Sequence, residues 1–304
     1  MSDPTQFQTF SQILPTLAPP DRTKLEKSFG RDIASPARLQ TAAARLSERD
    51  ADAMRYLLAL PPDLLSPDTI ARPSLSALTM AGLVLRTKVE GKAHLAVPLE
   101  VRVACARADV APDPPLVVFL ATWDESELAE LCSLHDIPQP EATDPAEIAI
   151  ACAEALNDAE RLLDVFESLS PSAKRLLHWW TDVNTRVSRD TLSQVAARFA
   201  RMHDEPQGTC ERVLDRLALL HEGLSDDASF HVPFDLRMAF ADILEQSTYA
   251  AAESAWARLR AEQLPTLRDA FPSGEGGNPL STARRIVAAA LQGDVIACPL
   301  TTVL

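Results

Sequence analysis

Apolar positions recur at three- and four-residue spacing along most of this chain. Phe10, Ile13, Leu14 and Leu17 form a first stripe, and Leu25 and Phe29 a second. That period marks helices with one face in a core. Ser35-Pro36 offers an N-cap followed by proline at the first helical position, so a small helical hairpin is predicted. Leu128, Leu131 and Leu134 repeat the pattern further on. Asp144-Pro145-Ala146-Glu147 then reads as a capping box that opens a helix through Ile148, Cys152 and Leu156. Amphipathic helices are predicted over 48–59, after Ser47, and over 171–183, after Ser170. Further helices are expected to end near Ala81 and near His221.

The period then changes. Residues 82–98 carry apolar positions on both sides of Gly91, which predicts two strands joined by a tight turn. A second hairpin, about four residues shorter, is expected from Gly223-Leu224 through Asp226-Asp227 to Phe230-His231-Val232.

These elements repeat in order. Val97-Pro98-Leu99-Glu100-Val101-Arg102-Val103-Ala104 returns 135 positions later as Val232-Pro233-Phe234-Asp235-Leu236-Arg237-Met238-Ala239. Leu46-Ser47 is answered 123 positions on by Leu169-Ser170, and Leu57-Leu58 by Trp180-Thr181. Leu75 and Leu78 align with Leu214 and Leu217. A repeat of this length is a duplicated domain and not a solenoid unit. The expected fold is mainly α, with two tandem units over 1–110 and 111–245. Each consists of a helical hairpin and a winged helix, meaning three helices and a β-hairpin. A helical C-terminal extension over 246–304 carries a glycine-rich break at 273–279 and a short strand over 295–297.

Charge divides unevenly between the copies. Residues 1–110 hold 14 Lys/Arg against 12 Asp/Glu, whereas 111–245 hold 10 against 26. Between 111 and 170, fourteen acidic residues face the single cation Arg161. A phosphate backbone should be repelled there and a basic protein attracted. At 46% hydrophobic the chain can bury sizeable cores. Cys105, Cys132, Cys152, Cys210 and Cys298 are odd in number and far apart, without a C-x-x-C pair, which points to a reducing cytoplasm. Met1–Gln6 lacks the basic and apolar regions of a secretory signal. The apolar run 116–121 is far too short for a membrane span.

Catalytic patterns are missing from the sequence. The six histidines have no paired metal-ligand spacing, and the chain holds neither a nucleophile elbow nor a G-x-x-x-x-G-K-[ST] loop. No cofactor, small-molecule substrate or enzymatic activity is therefore expected. Nucleic-acid contact is expected from Arg86, Lys88 and Lys92 around the first hairpin's turn, with Arg186, Arg189, Arg198 and Arg201 as a second basic set. Such small sets bind weakly and in a salt-sensitive way. Glu125, Glu127 and Glu130 are the candidate surface for a basic partner; as paired carboxylates for acid/base work they are outweighed by the reading as a solvated helix face.

Leu75-x-x-Leu78 leading to Gly82-Leu83-Val84, the hairpin, and Val97-Pro98-x-Glu100-Val101-Arg102, with their second-copy counterparts, resemble the amino-terminal, non-motor region of bacterial XPB-type helicases and the stand-alone helicase-associated proteins related to it. The likeness covers roughly residues 10–245. It implies an accessory role beside DNA-repair or transcription machinery, with DNA, a helicase or another basic protein as partner and any motor on a separate polypeptide.

Overall fold

The computed structural model describes residues 7–245 apart from 90, 112, 139–143, 184–185 and 226–228. The expected C-terminal extension 246–304, with its glycine-rich break and terminal strand, and the acidic tip Asp226-Asp227 lie outside the described residues.

The protein is mainly helical, with two small antiparallel sheets. In the first half α1 (Phe10–Ile13), α2 (Pro19–Phe29), α3 (Pro36–Ala44), α4 (Glu48–Ala59) and α5 (Arg72–Met80) lead into the hairpin β1 (Leu85–Val89) and β2 (Lys92–Ala96), and α6 (Leu99–Arg107) follows. In the second half α7 (Leu116–Leu120), α8 (Glu125–Leu134), α9 (Pro145–Leu156), α10 (Ala159–Ser168) and α11 (Pro171–Val183) come first. After them come β3 (Val187–Ser188), α12 (Arg189–Met202), α13 (Thr209–Arg216), β4 (His221–Glu222) and β5 (Ser229–His231). A last helix begins at residue 234. Strand order is β1-β2 in one sheet and β3-β5-β4 in the other.

Local chemistry fixes the helix starts. Ser47, Asp124, Asp158 and Ser188 accept backbone N–H bonds at the first turns of α4, α8, α10 and α12. Asp124 and Glu127 form a complete capping box. The box expected at Asp144 is half made. Asp144 accepts the Ala146 N–H at 3.0 Å, but the Glu147 carboxylate instead accepts Gln12 Nε2 of the first half at 3.0 Å. Ser35 precedes Pro36 as expected but makes no side-chain cap.

The two halves share specific hydrogen bonds. Leu83 N–H reaches Leu78 O at 3.0 Å and Gly82 N–H reaches Thr79 O at 3.1 Å, ending α5. Leu219 N–H reaches Leu214 O at 2.8 Å and Ala218 N–H reaches Asp215 O at 2.9 Å, ending α13. Each end needs a left-handed residue, Gly82 at φ +68 and Ala218 at φ +56. The α1 N-terminus is held by Glu100, which accepts the Phe10 N–H, while Leu99 N–H donates to Gln8 O at 2.8 Å. The α7 N-terminus is held likewise: Asp235 accepts the Leu116 N–H at 2.8 Å, and Phe234 N–H donates to Pro114 O at 3.3 Å.

These bonds correct the expected alignment. Leu78 matches Leu214, not Leu217, and α13 ends at Arg216 and not near His221, which lies in β4. The second hairpin therefore starts at His221 and not at Gly223. Its ladder pairs His221 with His231 where the first pairs Leu85 with Ala96, so it is one residue shorter and not four. The first half also lacks the expected middle helix. Pro61, Pro62 and Pro67 remove donors and fix φ there, leaving a 3-10 turn at Pro62–Leu64 and a tight turn from Ser66 to Thr69. The offset between matched positions grows from 106 to 123 across α9 and from 123 to 136 across α12, the two helices without counterparts.

A core runs from Phe10 to Val110 through Leu39, Met54, Leu57, Leu78 and Leu95. In the second half Phe119, Leu162, Trp180, Leu214 and Phe240 are buried, with Trp180 at the place matching Leu57. Both halves, up to Phe240, belong to one compact unit in which α6 packs on α7. Among the described residues no helix is long and apolar enough to cross a membrane.

Candidate functional site: two equivalent grooves of opposite charge

In each half a groove opens between the second helix, the end of the helix before the hairpin, and the first hairpin strand. The first, of about 340 Å³, lies among α2, α5 and β1; the second, of about 540 Å³, lies among α8, α13 and β4. Nine of the ten residues lining the first groove have a counterpart in the lining of the second at the same offsets. Leu17 of the first matches Trp123 of the second, Leu25 matches Leu131, and Leu85 matches His221. These form the apolar floors.

The charged rims do not match. Asp21 corresponds to Glu127, but Lys24 corresponds to Glu130, Thr79 to Asp215, Met80 to Arg216 and Arg86 to Glu222. One carboxylate and two cations surround the first groove, and four carboxylates with one arginine surround the second. Burial, and then the neighbouring Glu222, hold the Asp215 carboxyl above its usual range. Glu222 also meets Arg189 at 3.3 Å, an exposed pair of small energetic weight. The four carboxylates spread around the groove. Among the described residues no three His, Cys, Asp or Glu side chains converge as a metal site would require.

The floor of the second groove is closely packed around His221. His221 is 4% exposed, stacks on Phe119 with ring centroids 4.6 Å apart, and lies 5.7 Å from Trp123. Its Nε2 is 2.8 Å from Ala218 O, and burial pushes its pKa down to about 4, so the ring is neutral at pH 7. The histidine is thus a packed aromatic and not a charged lining group.

The residues singled out from sequence are only partly brought together. Arg86 and Lys88 alternate along β1 opposite Leu95 and Ala93, share one face of the hairpin, and are exposed. Lys92 pairs with Val89 and belongs to the other face, beside Gly91 at φ +81. Arg86 belongs to both the hairpin and the first groove. Arg186 is bonded to Asp109, at the end of the first half. Arg189 is held by Glu222 and by the Phe230 ring, 5.2 Å away. Arg198 and Arg201 lie nine and twelve residues further along α12, a rise of roughly 13 and 18 Å along the helix axis from Arg189. Glu125, Glu127 and Glu130 are exposed on α8, and Glu127 also accepts the Asp124 N–H at 2.8 Å.

The two motif arginines are structural. Arg102 is 3% exposed, donates to Leu58 O at 3.2 Å and lies over the Phe7 ring, with burial lowering its pKa to about 10. Arg237 is 4% exposed and pairs with Asp113 at 2.5 Å. Cys105, Cys132, Cys152 and Cys210 are buried free thiols, and burial pushes Cys105, Cys152 and Cys210 up to about 12. Such thiols behave as small apolar groups.

Sequence reading missed Lys24, Asp215, Glu222 and Trp123. Aligning Leu78 with Leu214 exposes Asp215 and Glu222, because Thr79 then meets Asp215 and Arg86 meets Glu222; Lys24 and Trp123 need the separate offset that matches Phe10 with Leu116. No protein-family model, curated protein or solved structure matches this chain.

Proposed function

We propose that this chain is a non-catalytic docking module made of two winged-helix units, an accessory that binds protein segments in its paired grooves. The winged-helix reading is supported by the second half. There α11, β3, α12, α13, β4 and β5 follow one another with strand order β3-β5-β4, and the first half keeps that order without the short first strand and with the middle helix reduced to a turn. The likeness of the motifs to helicase-associated proteins supports a DNA-repair or transcription setting.

One observation carries the docking reading. The same groove is built twice, with matched floors and reversed rims, which is how one scaffold comes to select two different partners. The helices that would enter a DNA major groove argue the other way for nucleic acid. Arg72 is the lone charged residue of α5, and α13 carries Glu211 and Asp215 beside Arg212 and Arg216.

A second reading, weak DNA binding by the first hairpin, draws on the exposed Arg86 and Lys88 sharing one face. Fluorescence titration of the full chain with duplex DNA, forked DNA and charged amphipathic peptides separates the two. Docking predicts saturable peptide binding and DNA binding that disappears by physiological salt. Low-salt DNA binding that is lost when Arg86, Lys88 and Lys92 become alanine, with no peptide bound, would reverse the order.

A further inference from the structure

The groove of the second half sets an acidic rim around an apolar floor. Trp123, Leu131, Leu134 and Leu224 line its base, while Glu127 and Glu130 project from α8 and Asp215 and Glu222 from the facing wall. The fold does not require this charge. The first half closes the same groove with Lys24, Thr79 and Arg86 in place of Glu130, Asp215 and Glu222. Glu222 meets Arg189 and Glu127 completes the α8 cap, but with Arg216 as the one lining cation the rim stays net acidic and complements a basic partner.

We infer that this groove holds a basic amphipathic helix of a partner protein, with leucine-type side chains on the floor and lysine or arginine against the carboxylates. The inference rests on the docking reading and names the occupant of one of its two sites. An apolar floor asks for a segment with one hydrophobic face. Acid on two facing walls asks for cations on both flanks of that face, the arrangement a Lys/Arg-rich amphipathic helix presents. A nucleic-acid backbone is excluded by its own charge. Arg216 is the one cation among the lining residues, and the incoming helix must leave it room at the edge. The first groove, with Lys24 and Arg86 on its rim, acts as an internal control of opposite sign.

The test uses the full chain and two labelled helical peptides of about five turns, one Leu/Lys and one Leu/Glu, plus a Leu/Lys peptide scrambled to remove the helical period. Fluorescence anisotropy reads affinity, and circular dichroism confirms folding. The Leu/Lys peptide is expected to bind about tenfold or more tightly than its scrambled form, with affinity that falls as salt rises. The double variant Glu130→Lys/Asp215→Thr takes the identities of Lys24 and Thr79, which the equivalent position already tolerates. It spares the Glu127 cap and the Glu222–Arg189 pair, and it is expected to weaken Leu/Lys binding by about tenfold. Should the double variant melt early, Glu130→Lys alone, on an exposed face of α8, gives the same readout at smaller amplitude. Unchanged Leu/Lys affinity in a folded variant, or equal binding of the scrambled peptide, overturns the inference. If Leu/Glu then binds in a way that Lys24→Glu abolishes, docking by the first groove stands and the basic-helix assignment alone fails. If no peptide binds either groove, the docking reading fails with it.

Discussion

Glu100 and Asp235 perform the same task at equivalent points of the two halves. Each carboxylate accepts the first backbone N–H of a helix far away in sequence, Phe10 for Glu100 and Leu116 for Asp235, and so ties the start of its half to its end. Removing either acceptor leaves a helix N-terminus unsatisfied. Glu100→Ala and Asp235→Ala are each expected to cost about 1 kcal/mol or more, measured by urea unfolding.

The two carboxyls also predict a pH dependence. Burial raises both pKa values despite the hydrogen bonds, so the folded state keeps these protons to higher pH than the unfolded chain. Their contribution is complete below the unfolded values and is lost as pH rises through the folded ones. The amide pair Glu100→Gln/Asp235→Asn keeps one acceptor oxygen per residue for the Phe10 and Leu116 N–H groups and cannot ionise, although Asn at 235 gives up the bond from Asn157. It is expected to flatten the fall in stability from about pH 4 upward. Parallel stability profiles for the two proteins would refute the assignment.

His221 gives the opposite sign. Its pKa is depressed to about 4 by burial, so protonation is favoured in the unfolded chain and stability is lost as pH falls from 6.5 toward 4. The effect is on the order of 3 kcal/mol. Leu85 occupies the matching place in the first half, so His221→Leu should keep the fold and remove most of this acid sensitivity, read from melting temperature against pH.

Gly82 and Ala218 make a reciprocal pair. A Cβ on Gly82 would stand 2.9 Å from Phe29 Cε2, and the backbone there is left-handed. Gly82→Ala is expected to destabilise by about 1–3 kcal/mol. Ala218 already bears left-handed strain, and Ala218→Gly is expected to stabilise by about 0.5 kcal/mol. Calorimetry of the two variants, with shifts in opposite directions, checks the structural alignment directly.

Much of this arrangement was legible in the sequence. The Val97-Pro98 and Val232-Pro233 motifs pointed to the repeat, the apolar stripe gave α8 without its Asp124 cap, and the start signals at Ser35-Pro36, Ser47, Asp144 and Ser170 gave α3, α4, α9 and α11. What escaped notice was short or non-local. α10 lies between Asp158 and Leu169 with only Leu162 and Phe166 to mark its buried face. β3 is two residues long and is defined by its partner β5. The grooves required a register set by hydrogen bonds of the folded chain, local ones ending α5 and α13 and long-range ones at Phe10 and Leu116. In α13 the apolar spacing allows Leu214 or Leu217 as the partner of Leu78, and the left-handed Ala218 decides between them. The proline-rich 61–67 segment was readable as a helix breaker, but the strength of the repeat favoured three helices in both copies.

The helix α9 has no counterpart, and its Glu147 takes the Gln12 amide of the other half. That bond links the two halves, and if both grooves take protein segments as proposed, the pair would act as a bivalent ruler. A ligand carrying an acidic and a basic helix on a tether of matching span would gain avidity beyond either site, whereas the same two helices unlinked, or tethered too tightly, would not.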